Sequence, residues 1–245
     1  MRLISDWPGS QPVTIRPISQ QLRTIGPTCL VIYPATILLL AGVLVLASRM
    51  GQPLSIFLSD PVTVMEAPPY YGAVSNLGVL IWGVGGAIAV FSAAVLRARR
   101  ANGELGWFLL ASGLWTMVLA ADDLFLLHET ILPHYLAIPQ NLVLGAYAVL
   151  GVAYLIRFWK MMAQTDWLLI GIAFAGLGLS VVFDTVLKPL EFSQQSLLED
   201  GSKLIGIVSW TAYFWRVGSH ALVDAVAIDD SASPRGRSTT LSSAA

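Results

Sequence analysis

The sequence predicts an all-α fold, a polytopic transmembrane bundle of about six spans with both termini in the cytoplasm. Three observations lead there. Hydrophobic residues fill 56% of the 245 positions and charged residues only 12%, whereas about a quarter of an average soluble protein is charged. The charges are also segregated, which leaves several stretches of roughly 17 to 23 residues nearly free of them, the length a helix needs to cross about 30 Å of hydrocarbon. Finally, the apolar runs lack the alternation of a membrane barrel strand. Because backbone polar groups cannot go unpaired in lipid, each run must close its own hydrogen bonds as a helix.

Residues 1–28 are polar, are interrupted by Pro8, Pro12, Pro17 and Pro27, and carry Arg2, Arg16 and Arg23, so they read as a cytoplasmic tail. The first apolar run starts too late for a cleaved signal and lacks a small-residue cleavage site, which makes it a retained span. Within a transmembrane domain of residues 29–222, the expected spans are 32–48, 74–96, 105–127, 142–159, 167–187 and 197–215. Small residues recur every four positions in the second span (Gly85, Ala89, Ala93) and the fifth (Gly171, Ala175; Gly176, Ser180), a pattern that lets helix backbones approach closely in lipid. Tryptophans and tyrosines, among them Trp82, Trp107, Trp159, Trp167, Trp210, Tyr213 and Trp215, suit interfacial belts and packing. Residues 223–245 end in a Ser-, Thr- and Ala-rich stretch with Pro234 and Gly236 and are expected to be a disordered cytoplasmic tail.

Orientation follows from the basic residues. Arg97, Arg99 and Arg100 follow the second span, Arg157 and Lys160 the fourth, and Arg216, Arg235 and Arg237 the sixth. The positive-inside rule puts these ends in the cytoplasm and loop 51–72 outside, as in a bacterial inner-membrane protein. A net charge of −1, with no basic run between aromatics, gives a nucleic-acid partner no electrostatic support. The single cysteine, Cys29, can form neither an internal disulfide nor a Cys-rich metal site.

On this topology the acids gather at the outer side. Asp122, Asp123, His128 and Glu129 close the third span, Asp184 lies at the outer end of the fifth, and Glu199, Asp200 and Lys203 occupy the outer half of the sixth. Glu66, Ser75 and Asn76 stand at the entrance of the second. Charges within a span cost roughly 2.5 to 3.5 kcal/mol each on insertion scales, so they are expected to face the bundle interior or a wet cavity. On a continuous helix Asp122 and Glu129 share a face about 10 Å apart, with His128 pointing elsewhere. Lys203 is i, i+4 to Glu199 and i, i+3 to Asp200, spacings that allow ion pairs within the sixth helix. The inner halves of the spans read as nearly all apolar.

The phrases Ser75-Asn76-Leu77-Gly78-Val79-Leu80-Ile81-Trp82, Asp122-Asp123-Leu124-Phe125-Leu126-Leu127-His128-Glu129 and Leu198-Glu199-Asp200-Gly201-Ser202-Lys203 resemble those of a group of uncharacterised bacterial multi-pass membrane proteins, many cyanobacterial or proteobacterial, over roughly residues 60–217. That resemblance implies topology and a choice of residues but no reaction. A fainter similarity links Ser75-Asn76 and Asp122-Asp123 to the alkaline ceramidase-like membrane hydrolase superfamily. The sequence departs from that pattern in its six spans, in the lack of a Phe-His element and in the lack of a C-terminal His-x-x-x-His.

Three function classes follow. In the first, a divalent metal (zinc, iron or manganese) held by Asp122, His128, Glu129 and Asp184 activates water against a lipid-like ester or amide. Glu199 or Asp200 then serves as general base beside Lys203, and Glu66, Ser75, Asn76 and Asp123 complete the polar site. In the second, the cluster belongs to a non-enzymatic subunit or sensor of an oligomer or larger membrane complex. In the third, it couples protons or cations to transport. Membrane lipids are the expected partners in each.

Overall fold

A computed structural model describes residues 18–59, 61–101, 103–184 and 195–232. All regular structure in them is helical. The chain divides into two compact units, Met1–Tyr71 and Gly72–Ala245.

In the first unit, α1 (Ile18–Met50) carries Pro27 and Pro34 inside it and is followed by the short helices α2 (Leu54–Leu58) and α3 (Pro61–Val64). The stretch Cys29–Met50 has a mean hydropathy of 2.6 and exposes Leu38, Leu39 and Leu44, a surface suited to hydrocarbon and unsuited to water. Gly51, at φ 62°, ends α1. Its N–H reaches Ser48 O and that of Gln52 reaches Ala47 O, the paired bonds of a left-handed C-terminal cap. Residues 18–28, expected as tail, are therefore helical; residues 1–17 lie outside the described ones.

The second unit comprises α4 (Ala73–Ala98), α5 (Gly103–Phe125), a π-helical turn (Leu127–Ile131), α6 (Leu132–Leu136), α7 (Gln140–Ala163), α8 (Trp167–Val182) and α9 (Gln195–Ala232). Glycine sets the closest helix crossings. A Cβ on Gly113 of α5 would sit 2.9 Å from Gly86 O of α4, one on Gly176 of α8 would sit 2.7 Å from Ser202 O of α9, and one on Gly85 of α4 would sit 2.7 Å from Thr211 Oγ1 of α9. Of the small-residue stripes, Gly85, Ala89 and Ala93 are buried, as are Gly176 and Ser180, whereas Gly171 and Ala175 are exposed. These contacts run antiparallel for α4 with α5 and for α8 with α9, and parallel for α4 with α9.

Aromatic side chains fill the space between the backbones. Phe108 packs on Phe158 and Phe214 at centroid distances of 5.3 and 5.8 Å, and Trp210 lies edge-on to Trp82 at 6.0 Å. Trp82, Trp210 and Tyr213 are thus core residues, while Trp107, Trp159, Trp167 and Trp215 stay exposed, as interfacial residues do. The interior of the second unit is also less apolar than the sequence reading held. Ser112 and Tyr154 hydroxyls share a 2.6 Å hydrogen bond, Trp210 Nε1 donates to Thr116 Oγ1 at 2.9 Å, and the Thr165 and Tyr213 hydroxyls lie 2.7 Å apart. In these three pairs each polar atom finds a partner on another helix or in a loop, which is the condition for burying it without large cost.

Among the described residues four helices are long and apolar enough to cross a membrane: Cys29–Met50, Ala73–Ala98, Gly103–Phe125 and Gln140–Ala163. The apolar α8 has 16 residues, about 24 Å of rise, and gives way to a π-helical end at Phe183 and Asp184; the expected continuation to 187 lies outside the described residues. With 38 residues, α9 runs well past the expected end at 215. Val217, Ala221 and Ala225 are all buried, so a four-residue repeat keeps one face on the bundle and carries the helix through residues 223–232, which were expected to be tail.

Candidate functional site

The polar end of the second unit is shaped by a break in α5. After Phe125 the backbone of Leu126 turns left-handed, φ 51° and ψ 46°, and the next residues wind as a π-helix. Thr130 and Ile131 both donate to Leu126 O, at 2.8 and 3.1 Å. This reversal brings His128 back onto Asp122. The His128 backbone N–H donates to Asp122 Oδ1 at 2.9 Å, and its Nδ1 lies 2.5 Å from Asp122 Oδ2. Tyr147 of α7 donates its hydroxyl to Asp122 Oδ1 at 3.1 Å. The continuous helix assumed from sequence, with His128 directed away from Asp122, is corrected by the left-handed residue.

Asp122 is only 6% exposed, and both its oxygens are engaged. An ionised carboxylate only accepts, so Nδ1 is the donor and the unprotonated nitrogen of neutral His128 is Nε2. Nε2 lies 3.6 Å from Glu129 Oε1, beyond hydrogen-bond distance. The Tyr147 ring stands edge-on to both His128 and Trp115 and holds the imidazole from the α7 side. Asp122 thus acts as an orienting partner of His128. Among the described residues no set of three or more His, Cys, Asp and Glu side chains converges as a metal shell. Of the four expected ligands, Asp122, His128 and Glu129 are neighbours joined in pairs, and Asp184 lies half-buried at the π-helical end of α8.

Asp123, one residue on, turns to α9. Its Oδ1 accepts from Lys203 Nζ, a partner 80 residues away. Lys203 therefore reaches across helices, where the sequence suggested Glu199 or Asp200 on its own helix. Asp123 Oδ2 is buried and meets no donor among the described residues. A cleft of about 10 Å³ at this point is lined by Ser75, Gly78, Asp123, Asp200, Lys203 and Ile207, among others. Glu199 is half-buried on α9, Asn76 is exposed on the first turn of α4, and Glu66 is exposed in the first unit.

The opposite end carries ion pairs between elements. Arg157 donates to Glu104 at 2.8 Å, and Arg216 grips both oxygens of Asp166 at 2.9 and 3.1 Å. The Arg216 hydrogen bonds, with that residue's charge and that of His220 in lesser roles, hold the Asp166 carboxyl below the usual carboxylate range.

Sequence reasoning missed Tyr147, one of two tyrosines on a largely apolar helix, because nothing local marks it as a partner of Asp122. It also missed the pairing of Asp123 with Lys203. Both depend on which faces of α5 meet α7 and α9.

No curated protein and no solved structure matches the chain. A family model described as a domain of unknown function (DUF8692) matches residues 35–217, a range that includes Asp122, His128, Tyr147 and Lys203. Covering most of the chain, that match places this protein in the DUF8692 family.

Proposed function

We propose that the chain is a six-span protein of a bacterial inner membrane, with both termini cytoplasmic, whose outer polar end hydrolyses a lipid-like ester or amide with His128 as general base. Support for the topology comes from the alternating directions of α4, α5, α7, α8 and α9 in the second unit and from the basic residues at one end of it. Preceded by α1, these make six passes. The reading of the chemistry rests on one observation, the Nδ1 of His128 held 2.5 Å from a buried carboxylate.

That geometry leaves Nε2 to take a proton from water as the water attacks a carbonyl, while Asp122 stabilises the imidazolium that forms; Nε2–H then returns the proton to the leaving alkoxide or amine as the C–O or C–N bond breaks. Glu129 Oε1, 3.6 Å from Nε2, limits where substrate approaches. A zinc, iron or manganese ion would be held at Nε2 and Glu129, with Asp122 behind the histidine as an outer-shell partner; such an ion supplies water that is acidic near neutral pH.

The test is turnover of fluorogenic lipid esters and amides by the purified protein in nanodiscs, with and without a chelator. His128→Gln and Asp122→Asn are expected to lose about 10²- to 10⁴-fold while keeping the wild-type elution profile. Turnover that survives His128→Gln removes the reading, and the chelator arm decides whether a metal takes part.

A second reading, a subunit or sensor of a larger complex, is favoured by the Lys203–Asp123 pair. An ion pair joining α5 to α9 is what a cluster that holds a bundle together would contain. On that reading the Asp123→Asn protein loses folding yield and the His128→Gln protein loses nothing.

A further inference from the structure

The cleft between α4, α5 and α9 has features that the His128 chemistry does not use. Its charged lining is two carboxylates, Asp123 and Asp200, against one ammonium, Lys203. Lys203 is committed to Asp123 Oδ1, and the other oxygen of Asp123 is buried without a donor among the described residues. A buried carboxylate oxygen left without a donor is costly and uncommon. Ser75 adds a hydroxyl, and Ser75 and Asp200 are exposed, so the cleft opens at the polar end of the unit. Its volume, about 10 Å³, admits roughly one water-sized group.

We propose that this cleft binds a primary ammonium group, carried by a lipid headgroup or by a free amine. One excess negative charge selects a cation. The donorless oxygen of Asp123 and the carboxylate of Asp200 select a group that only donates, as an ammonium does through its N–H bonds. The size of the space selects –NH₃⁺ over a trimethylated nitrogen, which is larger and has no N–H to offer. The proposal does not depend on His128 acting as a base.

The experiment uses the full chain in detergent and native mass spectrometry, comparing retention of phosphatidylethanolamine with that of phosphatidylcholine bearing the same acyl chains. Free ethanolamine and free choline serve as competitors. The ethanolamine lipid is expected to be retained about tenfold better, and Asp200→Asn, at an exposed position, to erase the preference. Asp224→Asn, at the far end of α9, is expected to keep it. Displacement by free ethanolamine but not choline assigns the site to the amine alone, and failure of both competitors assigns it to the lipid headgroup. Equal retention of the two lipids, or a preference that survives Asp200→Asn, overturns the proposal. Retention by His128→Gln separates this result from any failure of the hydrolase reading.

Discussion

Nδ1 of His128 and Oδ2 of Asp122 lie 2.5 Å apart although six positions and a helix break separate the two residues. The carboxylate also takes the His128 backbone N–H and the Tyr147 hydroxyl, so one buried side chain fixes the turn, the imidazole and α7 together. Asp122→Ala would leave those partly buried donors without an acceptor, at about 1 to 3 kcal/mol for a buried donor. Tyr147→Phe removes one donor from an oxygen that keeps another, at about 0.5 to 1.5 kcal/mol. Unfolding of the purified variants in a denaturing-detergent titration should rank Asp122→Ala below Tyr147→Phe. The reverse order would mean that the carboxylate does not organise the turn.

The crossing of α8 and α9 makes a sharper prediction. A Cβ at Gly176 would meet backbone atoms of Ser202 and Gly206 at 2.7 and 2.8 Å, whereas one at Gly171 meets nothing within 4 Å. Backbone cannot rotate aside as a side chain can. Gly176→Ala is therefore expected to cost about 1 to 3 kcal/mol, as over-packing does, with Gly171→Ala neutral or slightly stabilising through its better helix propensity. Equal effects at the two positions would show that the helices do not cross at Gly176.

At the opposite end, the two hydrogen bonds from Arg216 hold Asp166 below the usual carboxylate range. A carboxyl whose folded value lies below its unfolded one contributes stability that is complete above the unfolded value, near pH 4. That contribution fades as pH falls toward the folded value. The wild-type melting temperature should therefore fall more steeply below about pH 4 than that of Asp166→Asn, while the two curves run parallel above it. The exposure of the pair makes the effect small and sensitive to salt. Identical acid limbs would remove Asp166 as their source.

How far such features can be read in advance depends on the range over which they are decided. Composition suffices for α4, α5 and α7, because an uncharged apolar run in lipid has little alternative to a helix. It also suffices to gather Asp122, Asp123, Asp200 and Lys203 at one end, since charge asymmetry alone orders the spans. It does not choose between the consecutive stripes Gly171–Ala175 and Gly176–Ser180, which share one helix and differ in the face they present; packing on Gly206 selects the second. Lys203 had two acids within a helical turn and bonds to a third on another helix, because burial on α9 turns it toward α5. Residues 223–232 looked polar enough to end a helix, yet Ala225 still has the bundle to pack against.

The break at Leu126 was the feature least open to sequence reasoning, since leucine is a poor occupant of a left-handed conformation and nothing in Leu124–Phe125–Leu126–Leu127 signals a turn. A non-glycine residue there costs roughly 1 to 2 kcal/mol, met by the bonds that Asp122 accepts from His128 and Tyr147. Leu126→Gly would relieve the strain while adding freedom to the unfolded chain, so its stability should stay within about 1 kcal/mol of wild type. A β-branched residue at positive φ is a genuine outlier, and Leu126→Val is expected to cost about 1 to 3 kcal/mol. Because the turn delivers His128 to Asp122, Leu126→Val should also lose whatever His128→Gln loses, and Leu126→Gly should keep it. A valine variant with wild-type stability and behaviour would mean that His128 reaches Asp122 without the left-handed turn.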